Sequence, residues 1–312
     1  MSKSYERKIV LVVRPTRLDE LIARFNTEQQ AQFYVEHMGA DFSDYLMEHK
    51  KYKEAVVNVE SVLRSYGIVQ NLERRFLPNY TFGLQDIVVV LGQDGLVANT
   101  IKYLNQQRVI ALNPDPKRWN GVLMPFEVKD LHNIIKEEVT APRLVKKITM
   151  AKASLNDGQE LYAVNDFYIG QKTHVSSRYV LRLGQNEESQ SSSGIIVSTG
   201  LGSTGWLKSI YAGWKAASKW LVQKDFEQIG DGSFAWDSDI LNYYVREPYP
   251  SVNTKAEMVM GRINNKEKIT IVSQMSENGV IFSDGIENDF LEFNSGSKVD
   301  IGIAERQGLL VV

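Results

Sequence analysis

Ile87-Val88-Val89-Val90-Leu91-Gly92-Gln93-Asp94-Gly95 is the stretch on which the fold of this chain turns. Its apolar run is short, β-branched and without polar alternation, the mark of a strand buried on both faces. The run stops at a polar turn flanked by two glycines, and a helical pattern follows at Val97–Asn105. A buried strand running through a tight turn into a helix is half of a parallel α/β unit.

Working outward, Lys8–Val13 and Val109–Leu112 are further continuous apolar runs, closed by Arg14-Pro15 and by Asn113-Pro114-Asp115-Pro116. Helices are predicted over 18–38 and 41–66, with Gly67 as a C-cap, and a strand over Ile68–Leu72 precedes a loop at Pro78-Asn79. Helices alternating with buried strands imply crossovers and a parallel sheet. After about residue 140 the pattern changes to short β-rich segments, from 144–154 and 161–170 through 298–303. Turn signals such as Asn156-Asp157-Gly158 separate them, and one helix, about 205–224, interrupts them. Ser189–Ser193 reads as a loop. The expectation is an α/β N-terminal domain over 1–140 and a C-terminal β-sandwich domain over 141–312.

Composition narrows the function. The chain has 312 residues, 36 Lys and Arg against 38 Asp and Glu, and a formal net charge of −2. Nothing here predicts a nucleic-acid surface. There is no cysteine, which excludes disulfides, thiolate metal sites and cysteine nucleophiles. The four histidines are scattered, and no metal site built from the chain's own ligands is expected. No apolar run is long enough to span a membrane, and the opening residues lead straight into Ile9–Val13, so a cytoplasmic location is expected.

Two segments carry candidate chemistry. In Gly92-Gln93-Asp94-Gly95 the glycines let backbone approach phosphate oxygens, and the following helix N-terminus favours anions. Asp94 there suits a proton acceptor or a contact through Mg²⁺, although Asp and Gly are also common in ordinary βα turns. The second segment, Thr199-Gly200-Leu201-Gly202-Ser203-Thr204-Gly205-Trp206, follows the apolar run Ile195–Val197. Its hydroxyls suit ribose or phosphate, or simply nearby backbone. Its glycines spell G-x-G-x-x-G with Asp225 twenty positions after Gly205, the dehydrogenase fingerprint. That fingerprint needs a second parallel strand ending at the acid, whereas Asp225 directly follows a helix in a β-rich region.

Taken in order, these pieces resemble the NAD kinase family. Its pattern of Gly-Gly-Asp-Gly, Asn-Glu, Asp-Gly leading to Thr-Pro-Thr-Gly-Ser-Thr-Ala-Tyr, and a late Asp-Gly is similar to Gly92–Gly95, Asn165-Asp166, Ser193-Gly194 leading to Thr199–Trp206, and Asp284-Gly285. Asn113-Pro114-Asp115-Pro116, Ala163–Gly170, Ser192-Ser193-Gly194 and Arg246-Glu247-Pro248 look closest to the mitochondrial-type branch, in a bacterial-like member without a transit segment. The resemblance implies transfer of a phosphoryl group from ATP, with Mg²⁺, to NAD, giving NADP and ADP. It implies a site between the two domains and a homo-oligomer, a dimer or tetramer. Asp94 would act on the ribose 2′-hydroxyl, Gly92 and Gly95 would lie against phosphates, and Asn165 and Asp166 would hold the adenosine part. Ser193, Thr199, Ser203, Thr204, Gly205, Trp206 and Ser209 would line the nucleotide pocket.

The chain departs from the pattern on the phosphate-donor side. Gln93 stands at the second glycine, where a side chain costs about 1 kcal/mol if the backbone must be left-handed. Leu96 stands where the family has a threonine. A non-catalytic NAD(P)-binding sensor, or a kinase for another adenosine-containing acceptor, therefore stands as an alternative.

Overall fold

The computed structural model describes residues 7–222 and 230–312, which form two compact units. The first comprises Met1–Lys146 together with Leu309–Val312, the second Lys147–Gly308.

The first unit contains β1 (Lys8–Val13), α1 (Arg17–Phe25), α2 (Glu28–His37), α3 (Phe42–Arg64), β2 (Ile68–Glu73), β3 (Ile87–Leu91), α4 (Asp94–Ile101), β4 (Arg108–Asn113), the short β5 (Phe126–Glu127) and α5 (Leu131–Thr140). Its sheet runs β2-β1-β3-β4, all parallel, with β5 against the end of β4. Strand order reverses between β1 and β3, the switch point at which open α/β sheets leave a crevice beyond their carboxyl ends. The interiors of β1, β3 and β4 are wholly buried, as their unbroken apolar runs require. Tyr52, Val59 and Leu63 of α3 and Leu131 and Ile135 of α5 pack with Ile9, Leu11, Val89, Leu91 and Ile110 in one core. Each such side chain contributes roughly 1.5–3 kcal/mol when fully buried.

The helix predicted over 18–38 is two helices. Asn26 closes α1 in a left-handed conformation (φ 67°), and the Thr27 side chain caps α2 by accepting from Gln30 N–H. Pro78-Asn79, expected in a loop, belongs to a 3-10 turn, Arg74–Asn79.

The second unit is built from β6 (Val145–Leu155, beginning at the divide), β7 (Glu160–Ala163), β8 (Asp166–Gln171), β9 (Ser177–Leu183), β10 (Asn186–Ser192), β11 (Ile195–Ser198), α6 (Trp206–Val222), β12 (Ile240–Val245), β13 (Met260–Asn264), β14 (Ile269–Ser273), β15 (Gly279–Ser283), β16 (Ile286–Glu292) and β17 (Lys298–Val311). One antiparallel sheet runs β13-β12-β11-β8-β15-β16. The other places β10, β9, β14 and β17 side by side, with β6 and β7 beyond. Phe167, Ile169, Ile195, Val197 and Ile281 of the first sheet share a core with Tyr179, Leu181, Ile269, Ile271 and Val299 of the second. An α/β unit with a parallel sheet and a unit of two antiparallel sheets on one core are the architecture expected from the sequence.

Three local expectations change. Ser189–Ser193 is not a loop: Ser189–Ser192 lie in β10, paired with β9, and Ser192 Oγ bonds the Tyr179 hydroxyl at 2.7 Å in the interior. The segment 161–170 is two strands with a turn at Val164-Asn165. The strand predicted over 298–303 continues to Val311, and its last residues, Leu309 and Leu310, pair in parallel with Arg108 and Val109 of β4.

Candidate functional site

The β3–α4 turn lies at the switch point. Val12 of β1 faces Val90 of β3, and continuing that register sets Arg14 beside Gly92. Tyr52 ties the two strand ends together: its hydroxyl donates to Leu91 O (2.8 Å) and accepts from Arg14 N–H (3.0 Å). The Arg14 guanidinium, one-tenth exposed, is paired with the buried Glu48 carboxylate at 2.6 Å. A Cβ on Gly92 would come within 2.7 Å of the Leu96 side chain, so Leu96 packs where only a glycine leaves room. Gln93, the N-cap of α4, has φ −125° and ψ 163°. That is ordinary extended backbone, so the glutamine-for-glycine departure carries no strain here.

Asp94 is the first residue of α4 and is half-buried. Its Oδ1 accepts from Leu123 N–H at 2.7 Å, and among the described residues its Oδ2 has no hydrogen-bond partner. Asn113 shapes the loop that delivers Leu123, with its Nδ2 donating to Trp119 O (2.8 Å) and its Oδ1 accepting from Asp115 N–H (3.0 Å). Gly95 is exposed, and a Cβ there would meet nothing within 4 Å. The turn therefore offers open backbone, one anchored carboxylate with a free oxygen, and the positive end of a helix.

In the second unit Asp284 (φ 54°) organises the Val164–Asp166 turn. Its Oδ1 accepts from Asn165 N–H at 2.6 Å and its Oδ2 from Val164 N–H at 3.0 Å, and its own N–H donates to Asp166 O. The same turn receives the glycine-rich segment. Thr199 N–H donates to Asn165 O (2.9 Å), and Thr199 Oγ1 donates to Val164 O (2.6 Å) while accepting from Gly202 N–H. Ser203 Oγ donates to Gly200 O (2.7 Å) and accepts from Phe234 N–H. Both hydroxyls are fully buried and engaged within the protein. A Cβ on Gly200 would lie 1.9 Å from Ala235 O, and one on Gly202 would lie 2.0 Å from Asn165 O. These glycines admit neighbouring backbone, and β11 before them is antiparallel to both its neighbours, so the dehydrogenase fingerprint does not apply. Asp225, its acidic member, lies outside the described residues.

A cavity of about 290 Å³ opens beside this turn, lined among others by Asp166, Tyr168, Lys172, Trp206, Arg246 and Phe282. The Tyr168 ring is nearly parallel to Trp206 (6.2 Å, 17°) and to Phe282 (6.3 Å, 18°). The Tyr168 hydroxyl fixes the ring by donating to Gln171 O, and Gly194 (φ 104°) makes room for it, since a Cβ there would come within 2.6 Å of the ring. Asp166 is buried, and among the described residues its carboxyl has no hydrogen-bond partner. Burial, assisted by the nearby Asp284 charge, pushes its pKa up to about 7.

No protein-family model and no curated protein sequence matches the chain. Solved structures do. An NAD kinase from Archaeoglobus fulgidus in complex with ATP superposes with a TM-score of 0.57 at 14% identity, covering 98% of this chain and 93% of the other. Yeast NADH kinase complexed with NADH gives 0.59 at 14% identity, covering 98% and 84%. The chain has the NAD kinase fold.

Within that fold, the predicted residues fall in two groups. Gly92, Asp94 and Gly95 stand together at the β3–α4 turn of the first unit. Asn165, Asp166, Ser193, Thr199, Ser203, Thr204, Gly205, Trp206 and Ser209 belong to the second. Ser193 is half-buried, with its N–H on Arg246 O (2.9 Å) and its carbonyl accepting from Tyr168. Thr204 and Ser209 are exposed, their hydroxyls donating to Leu201 O and Trp206 O, and Gly205 is exposed between them. Among the described residues no group of three His, Asp or Glu side chains could hold a metal ion by itself. Sequence reasoning did not single out Tyr168, Lys172, Arg246 and Phe282 as cavity residues. A usable signal exists: Asp166, Tyr168 and Gly170 alternate along β8 and so share one face.

Proposed function

We propose that this protein is a phosphotransferase of the NAD kinase type, moving the γ-phosphoryl group of ATP to the ribose 2′-hydroxyl of NAD. The observation that carries the reading is the setting of Asp94, at a helix N-terminus, between two glycines, with one oxygen anchored by Leu123 N–H and the other free. In this reading Asp94 Oδ2 accepts the hydroxyl proton as its oxygen attacks phosphorus and the bond to ADP breaks. Phosphoryl transfer needs positioning and charge neutralisation more than covalent help, and open backbone at Gly95 suits close approach of phosphates. Mg²⁺ would arrive with ATP, held by its phosphate oxygens, which leaves the free Asp94 oxygen for the proton. The fold shared with an ATP-bound and an NADH-bound structure supports nucleotide ligands. The motifs at Asn113–Pro116 and Arg246–Pro248 are the support for placing the chain near the mitochondrial-type branch. A homo-oligomer remains part of this proposal by resemblance, and a cytoplasmic location by the shortness of the chain's apolar runs.

The test is incubation of the purified chain with NAD, ATP and Mg²⁺. NADP should form, and its absence with every phosphoryl donor would leave the binding reading in place of the catalytic one. Leu96 favours that second reading, because it fills the space beside Gly92 with a buried apolar side chain and offers no hydroxyl.

A further inference from the structure

The chain contains two Asn-Gly pairs, Asn120-Gly121 and Asn278-Gly279, each followed by a valine. In such a pair the side-chain amide carbon comes within reach of the next backbone nitrogen, since glycine has no Cβ to obstruct it. The local sequences are alike, but the structure sets the two pairs apart. Asn278 O accepts from Lys172 N–H at 2.8 Å, and Gly279 N–H donates to the Asn294 side chain at 3.0 Å. Gly279 opens β15, and its Cβ position lies 2.0 Å from Phe293 O. That peptide unit is held on both sides. Asn120, by contrast, is exposed. Among the described residues, its carbonyl, its side-chain amide and the Gly121 N–H make no hydrogen bond.

Packing nevertheless forces a glycine at 121. Its φ is 65°, in the left-handed region, and a Cβ there would come within 2.7 Å of Asn113 Nδ2. That Nδ2 is committed to Trp119 O, one residue before Asn120. On the other side Gly121 O accepts from Met124 N–H at 3.1 Å, and inside this turn Leu123 N–H reaches Asp94 Oδ1 at 2.7 Å. Asn120-Gly121 is therefore the unheld link between two anchored pieces of one loop. The second piece carries the donor that orients Asp94.

We propose that Asn120-Gly121 is a self-modifying site, at which spontaneous deamidation releases Asp94 from its anchor as the protein ages. Hydroxide removes the Gly121 amide proton, and the nitrogen attacks Asn120 Cγ. The new N–Cγ bond closes a cyclic imide as the Cγ–Nδ2 bond breaks, and ammonia leaves with a proton taken from water. Water then opens the ring. Addition at Cγ breaks the new bond and leaves an ordinary aspartyl residue. Addition at the main-chain carbonyl carbon breaks the original peptide bond instead, and the chain continues through Cγ as an isoaspartyl link. Nothing is oxidised or reduced, and water is the only co-reactant. The isoaspartyl link adds one carbon to the backbone, about 1.5 Å of chain, against a window of about 0.5 Å for a good N–H···O bond. With Trp119 O and Gly121 O both anchored, the loop has no slack to absorb it, and Leu123 N–H moves off Asp94. The inference stands apart from the kinase reading, since a covalent change and a hydrogen bond are both measured without substrate.

The experiment ages the full folded chain in mildly alkaline buffer and follows its peptides by mass spectrometry. Exchange of NH₂ for OH marks deamidation, and a protease that cuts before aspartyl but not isoaspartyl residues separates the products. Conversion at Asn120 should run about ten-fold or more ahead of conversion at Asn278, and the two should converge in urea, where neither peptide unit is held. Hydrogen exchange at the Leu123 amide, read separately on the isoaspartyl and parent peptides, should be about ten-fold or more faster in the former. Asn120→Gln, whose longer side chain does not readily close the ring, should keep the Leu123 protection through the same ageing. Asn120→Asp copies the ordinary product without the added carbon, and should keep that protection too. Equal conversion at the two asparagines in the folded chain would overturn the site. Leu123 protection that survives in the isoaspartyl form, or is lost equally in Asn120→Asp, would overturn the release of Asp94.

Discussion

The carboxylate of Asp284 holds the backbone of Asn165, its Oδ1 accepting the Asn165 N–H at 2.6 Å while Oδ2 takes the N–H of Val164. Removing it leaves the N–H groups of Val164 and Asn165 without their acceptor, and takes away a weaker contact of Asp166 N–H at 3.4 Å, in a partly buried turn. Asp284→Ala should therefore lower stability by about 2–6 kcal/mol, at about 1–3 kcal/mol for each unsatisfied group. Asp284→Asn keeps one acceptor and the left-handed tolerance of the position, and should cost less. Urea unfolding of the two variants checks this; equal losses would show that hydrogen bonding is not what holds the turn.

Asp94→Asn retains an oxygen for Leu123 N–H but cannot take a proton. If Asp94 acts as the base, turnover should fall by roughly 10²-fold or more, in keeping with general-base contributions. The thermal midpoint should stay close to that of the parent. Steady-state NADP formation and a melting curve decide it, and an unchanged rate would remove Asp94 from the mechanism.

Gly95 separates stability from activity. Its Cβ position is empty and its backbone is helical, so Gly95→Ala should be neutral or stabilising by about 0.5–1 kcal/mol. In the proposed site the added methyl stands where phosphates approach, and activity should drop. Gly200→Ala should behave in the opposite way as regards stability, since its Cβ would fall 1.9 Å from Ala235 O. A loss of about 1–3 kcal/mol or more is expected from forced overpacking. Denaturant midpoints for the pair test the contrast.

Asp166 gives a pH signature. Its pKa rises from 3.8 to about 7 in the folded chain, so the folded state holds the proton more tightly than the unfolded state. Its contribution to stability must fall as pH climbs from about 4 to about 7, and must then stay level. Asp166→Asn removes that slope. The variant should match the parent near pH 4 and exceed it at pH 8 by roughly a few kcal/mol. Unfolding curves at both values, compared between the two proteins, settle the sign; parallel pH dependences would contradict it.

Much of this was legible because short apolar runs have few alternatives. Ile9–Val13 and Ile87–Leu91 have no polar position to expose, and both are buried strands. Ser189–Ser193 misled because polar composition normally marks a loop, whereas Ser191 and Ser192 are buried and bonded across strands. The break at Val164-Asn165 was hidden because its cause, Asp284, lies far along the chain and alone looks like an ordinary strand-to-turn signal. The turn around Asp94 could be recognised, but not the Leu123 N–H that orients it, since a backbone donor leaves no mark in the sequence. The penalty attached to Gln93 rested on a backbone conformation that the turn does not adopt.

The terminal stretch of β17 bears on how the chain is made. Leu309 and Leu310 flank β4, whose own residues leave the ribosome some two hundred positions earlier. During synthesis, then, the Arg108–Val109 part of β4's edge, beyond the reach of β5, waits unpaired while the whole second unit is produced. An open strand edge is a template for wrong pairing. Growth conditions that slow translation should lengthen that wait, and overproduced chains should be most vulnerable to aggregation before residue 309 has emerged.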